Sequence, residues 1–161
     1  MILRPSDSVT EIPKRAAVVS CGPAVLASAA VLAPYLSASG YTLFAVAIFW
    51  FFSPVCHQDP ARSFWILGTP VAVCVRCLGI YLGAAVGAWI PAPRRMLLSG
   101  LALFAALNLA DVLTEAAAWH GNWKLARFLL GTLLGLAAGS LVANAMQRDV
   151  LRFAVANQSS R

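Results

Sequence analysis

Tyr41-Thr42-Leu43-Phe44-Ala45-Val46-Ala47-Ile48-Phe49-Trp50-Phe51-Phe52-Ser53-Pro54-Val55 is the stretch that decides how often this chain crosses a membrane. The run is apolar and rich in aromatics, yet its 15 residues fall short of the ~20 that a helix needs to cross about 30 Å of hydrocarbon. If it crossed, every later segment would lie on the opposite side. Read as a re-entrant or interfacial helix, it returns the chain to the face it left and delivers Cys56-His57 to the membrane surface.

The flanking sequence makes a bilayer the natural solvent. Of 161 residues, 60% are hydrophobic and 11% charged, with a mean hydropathy of +0.77. A soluble domain is nearer half apolar and a quarter charged. The apolar segments are continuous rather than alternating, which predicts spanning helices and not a barrel. The net charge of +6 sits in short connections between apolar runs. Charges so placed encode topology, so the partner implied is the lipid bilayer and not nucleic acid.

Residues 1–13 are polar, contain Pro5 and Pro13, and read as a flexible tail. Lys14 and Arg15 abut a run of spanning length over residues 16–36, in which Cys21 stands alone and reads as a small apolar residue. A turn at residues 36–40 leads into the 41–55 run. A polar connection follows at 56–68. Thr69-Pro70 then has the form of an N-cap and first helical residue, predicting a third helix to about Ile90, stopped by Pro91-Ala92-Pro93. Arg94 and Arg95 precede a fourth run at 96–119, with Asp111 and Glu115 four residues apart on its later half. His120-Gly121-Asn122 reads as a turn, with His120 in a wet loop, and residues 123–146 form the fifth run. The predicted organisation is one transmembrane domain over residues 14–147 between an N-terminal tail (1–13) and a polar C-terminal tail (148–161).

Basic residues prefer the cytoplasmic side. If the 41–55 run does not cross and the N-terminus is cytoplasmic, Lys and Arg divide 8 inside to 4 outside; if it crosses, the division falls to 7 against 5. The expected fold is therefore an all-α polytopic bundle with four full spans and one short partial or re-entrant helix. Both termini are then cytoplasmic.

Three of the four cysteines and one of the two histidines lie between positions 56 and 77. Cys56, His57, Cys74 and Cys77 supply four soft or borderline donors, the number and type suited to zinc or another soft or borderline metal ion. Adjacent Cys56 and His57 do not easily ligate one ion together. A second reading is a membrane thiol-disulfide oxidoreductase, because a C-x-x-C pair at a helix N-terminus gains thiolate character and Arg76 adds to it. In a third, the cysteines are structural or packing residues without a cofactor. No reading of the motif by itself names a reaction.

Distant residues are expected to join this site. Gly79, Gly83 and Gly87 recur at spacing four, as do Gly131, Gly135 and Gly139; such strips let helices approach closely. Set face to face, they bring Arg127 level with the turn of Cys74 to Arg76, and Asp111 reaches a similar depth on the returning helix. A charge in lipid requires a partner, so Asp111 is expected to pair with Arg76 or Arg127. Gln58 and Arg62 complete the expected polar cluster.

At these residues the sequence resembles a bacterial membrane-protein family catalogued as domain of unknown function 2085. The family pattern is Cys-His-Gln, Arg-Ser-Phe and Cys-x-Arg-Cys-x-Gly-x-Tyr-x-Gly, then an acidic residue in the next helix and an Asn…Arg-Phe…Gly pattern. Here these are Cys56-His57-Gln58, Arg62-Ser63-Phe64 and Cys74-Val75-Arg76-Cys77-Leu78-Gly79-Ile80-Tyr81-Leu82-Gly83, then Asp111, Asn122, Arg127-Phe128, Gly131 and Gly135. Leu78 departs from the small or polar residue usual after the second cysteine. The resemblance covers about residues 40–140. It implies a bacterial source and the inner membrane; the family carries no assigned activity, so it implies a site without a reaction.

Overall fold

A computed structural model describes residues 5–159 apart from 118, 120 and 122, with side chains over residues 16–146. His120 and Asn122 lie outside the described residues. The described chain is mostly helical: α1 (Pro5–Ala38), α2 (Thr42–Phe52), α3 (Val75–Gly87), α4 (Arg94–Ala116) and α5 (Lys124–Ser159). Between α2 and α3 lie a 3-10 turn (Pro60–Arg62) and a two-stranded antiparallel hairpin, β1 (Trp65–Ile66) with β2 (Thr69–Pro70). Helix α1 begins within the segment read as an N-terminal tail, and α5 continues into the segment read as a C-terminal one.

Among the described residues, three helices have the length and composition to cross a bilayer: Ala16–Ala38, Arg94–Ala116 and Lys124–Met146, 23 residues each. The 41–55 run yields a short α2 of 11 residues, about 16 Å at 1.5 Å per residue. It folds back on α1 through a Schellman turn. The Tyr41 amide donates to the Leu36 carbonyl (2.9 Å) and the Gly40 amide to that of Ser37 (3.2 Å). Gly40 takes the left-handed φ of 84° that this turn needs and that glycine adopts without strain.

The third helix differs from its expected bounds. Thr69-Pro70 is a strand and not a helix start, and α3 has 13 residues rather than about 20. The cause lies one step upstream. Leu67 and Gly68 both have positive φ, 50° and 76°, the conformation of a two-residue type I′ hairpin loop. That loop pairs Ile66 with Thr69 and Trp65 with Pro70. Helix α3 begins only after the buried run Val71-Ala72-Val73, with Cys74 as its N-cap.

The two glycine strips organise the packing of α3 on α5, which run parallel. A Cβ on Gly79, Gly83 or Gly87 would meet the backbone carbonyl of Phe128, Thr132 or Leu136. One on Gly131, Gly135 or Gly139 would meet that of Arg76, Ile80 or Ala84. Only hydrogen fits between the backbones. The far end of α3 is held by α5 side chains: the Ser140 hydroxyl donates to the Gly87 carbonyl (2.6 Å) and the Asn144 amide to that of Ala92 (2.9 Å). Helix α4 packs on α5 and leaves much of its surface outward, as a lipid-facing span does.

At the other end of α3, the Ala72 amide donates to the Ala30 carbonyl of α1 (3.2 Å). There Phe52, Val71, Ala72 and Val73 form a buried cluster with Ala27, Ala30 and Ala33. The C-terminal half of α1, the start of α3, the end of α4 and the start of α5 thus share one end of the bundle. The 53–74 connection is folded onto that end.

Candidate metal centre

Cys56 enters from the α2 side. The helix unwinds through amides of Val55 and Cys56 that both bond the Phe52 carbonyl, which leaves Cys56 buried against the core. Cys74 and Cys77 enter from α3, as N-cap and third helical residue. Residues three apart on a helix share a face, so one turn presents both sulfurs to Cys56. The three sulfurs lie within 4.8 Å of one another. Tetrahedral zinc with bonds of about 2.3 Å would require sulfurs about 3.8 Å apart, within reach of small rotamer changes.

The backbone prepares one of these sulfurs for negative charge. The Cys74 amide donates to Cys56 Sγ at 3.2 Å. Hydrogen bonds from the Cys74 and Cys77 thiols push the Cys56 pKa far below the ordinary thiol value, against a smaller opposing effect of burial. Thiolate is the form that ligates metal and attacks electrophiles. Cys21 is exposed on α1 and takes no part.

Gln58 shapes the loop that carries Cys56. Its φ is 52°, and its side-chain amide bonds the carbonyls of Phe49 (2.6 Å) and Ala72 (3.0 Å). It thereby ties the end of α2 to the approach to α3. His57 is exposed and stands outside the three-sulfur group, although it lines the same cavity. Its neighbour Cys56 is buried against the core while His57 is exposed.

That cavity has a volume of about 440 Å³ and is bordered by the three cysteines, His57, Arg62, Arg76 and Arg127 among others. Through its wall runs an ionic chain. Asp111 accepts from both Arg76 and Arg127, the latter at 3.0 Å from Nε. Glu115 accepts from Arg127 (2.8 Å) and Arg62 (3.3 Å), and Asp59 meets Arg62 at 3.4 Å. Three guanidiniums thus share three carboxylates across the loop, α3, α4 and α5. Arg127 is only 2% exposed, where a lone charge would be prohibitive.

Sequence reasoning did not assign Glu115 to the site, although its spacing of four from Asp111 placed both on one face. It also missed Lys124, whose ammonium donates to the carbonyl of buried Ser63 at 3.0 Å and pins the loop to the start of α5. Nothing local in the sequence links these two positions, 61 residues apart.

Residues 56–141 match the model of a family described as "Predicted membrane protein (DUF2085)", and the chain belongs to that family. It is similar to an uncharacterized protein of the archaeon Methanocaldococcus jannaschii, 44% identical over 61 residues, 35% of this chain and 39% of that protein. The match therefore spans well under half of that relative. No solved structure matches.

Proposed function

We propose, from membership of that membrane-protein family as the premise, that this chain is an integral membrane protein that binds zinc or a similar soft metal ion. Cys56, Cys74 and Cys77 would supply three thiolates, and His57 borders the cavity onto which a fourth position would open. The observation that carries this reading is the convergence of three sulfurs from two segments, with a backbone amide directed at one of them. Three protein ligands and an open position are the pattern of a reactive metal site rather than a closed structural one. The bound ion would supply Lewis acidity at that position.

Elemental analysis of the purified protein tests this. We expect stoichiometric metal in the wild type and its loss in Cys56→Ser, Cys74→Ser and Cys77→Ser. His57→Ala should retain stoichiometry with weaker affinity. A thiol-disulfide role is the second reading, favoured by Cys74 and Cys77 at the first turn of α3. No metal, together with a reducible Cys74–Cys77 bond, would select it. No metal and three unreactive thiols would defeat both.

We further propose a membrane placement. Helices α1, α4 and α5 cross, α3 with its following turn makes a fourth, shorter crossing, and α2 is re-entrant. Both termini face the cytoplasm of a cell inner membrane, and the sulfur site lies at the opposite face. The 8 to 4 division of basic residues and the shared end of α1, α3, α4 and α5 support this. Accessibility labelling of single cysteines placed after Gln58 and after Arg95, in a background lacking the native ones, should report outside and inside respectively. The reverse pattern would overturn the placement.

A further inference from the structure

The cavity wall is chemically lopsided. Apart from the three cysteines, its charged and titratable lining is His57, Asp59, Arg62, Arg76 and Arg127, so three guanidiniums accompany one carboxylate. Asp111 and Glu115, which pair with those arginines, are not part of the lining. They sit behind the guanidiniums and hold them in place without occupying the space in front.

Arg76 leaves one buried donor over. It bonds Asp111 through Nη2, and its buried Nε has no hydrogen-bond partner among the described residues. A guanidinium carries five N–H donors. An orphaned buried donor costs about 1–3 kcal/mol, and such exceptions in folded proteins call for a reason. Arg76 also sits between Cys74 and Cys77 in sequence, so its guanidinium and the sulfurs border the same cavity. About 440 Å³ is the size of a small-molecule site.

We propose that this cavity binds a small carboxylate-bearing ligand, its acid group accepting from the Arg76 guanidinium that borders the cavity. A planar carboxylate matches a guanidinium. At the wall the acid group brings one negative charge to an ionic chain already balanced, three cations to three carboxylates, where a phosphate head would bring two. Resting on the metal reading above, the other end of the ligand is a soft donor that completes the metal's coordination, which makes the ligand a thiol acid. Arg76 is a binding residue in this scheme, and Asp111 positions it.

The test uses the full chain in detergent, loaded with cobalt(II), whose visible absorption reports the fourth ligand. Mercaptoacetate and the neutral 2-mercaptoethanol are titrated in parallel. We expect mercaptoacetate to bind at least about tenfold tighter, a difference of about 1.4 kcal/mol. In Arg76→Lys, which keeps the charge opposite Asp111, that preference should vanish while cobalt stoichiometry and 2-mercaptoethanol affinity persist. Should Arg76→Lys fail to fold, Arg62→Gln at the exposed rim should reduce the preference in the same direction. Equal affinities in the wild type, or a preference untouched in the folded variant, overturn the proposal. If no cobalt binds, the metal reading falls separately, and succinate decides the anion site. Thermal stabilisation of the metal-free wild type but not of Arg76→Lys upholds it, and no stabilisation defeats it.

Discussion

Gly83→Leu and Gly135→Leu should each lower thermal stability in detergent by more than about 3 kcal/mol, the upper end for overpacking a core. The reason is what the new side chain would strike. At Gly83 it meets the carbonyl of Thr132 and at Gly135 that of Ile80, and a backbone held in a helix cannot rotate aside as a side chain can. Gly100→Leu on α4 is the control, since a Cβ there meets only the Phe104 ring at 3.8 Å. An unchanged melting temperature in both strip variants would show that α3 and α5 do not pack through these glycines. The same variants should lose metal, because α3 carries Cys74 and Cys77.

Arg127→Met is expected to be comparably severe. It removes the cation between Asp111 and Glu115 and leaves two carboxylates short of a partner in a nearly dry site. Breaking a buried pair in this way costs about 3–5 kcal/mol. Adding Glu115→Gln to Arg127→Met restores the charge balance and should recover part of the loss. A double-mutant cycle would measure that recovery. Additive losses would mean that the two residues act independently and that the ionic chain is not a unit.

Much of this site can be read from composition and spacing, because its ingredients are costly in lipid. Thiols, an imidazole and arginines packed into 22 positions stand out against an apolar background. Asp111 had to find a cation and finds two, Arg76 and Arg127. The illegible parts depend on long-range geometry. Thr69-Pro70 carries a good local helix-start signal, but the left-handed pair Leu67-Gly68 uses it in a hairpin. Glu115 meets Arg127 across the helix pair, and the Pro60–Arg62 turn also brings Arg62 across to it, a placement that no local pattern encodes. The shortness of α3 followed from the same hairpin, which takes up residues that helix periodicity alone would have assigned to the span.

The glycine strips also set a schedule for biogenesis. Helix α3 is 13 residues long, too short to hold itself across a bilayer, and its buried face is glycine backbone matched to α5. A nascent chain that has emerged only as far as α4 has nothing to lay against that face. The start of α3 already rests on α1 through Ala72 and Ala30, but its α5-facing side is completed only when residues 124–139 have been delivered.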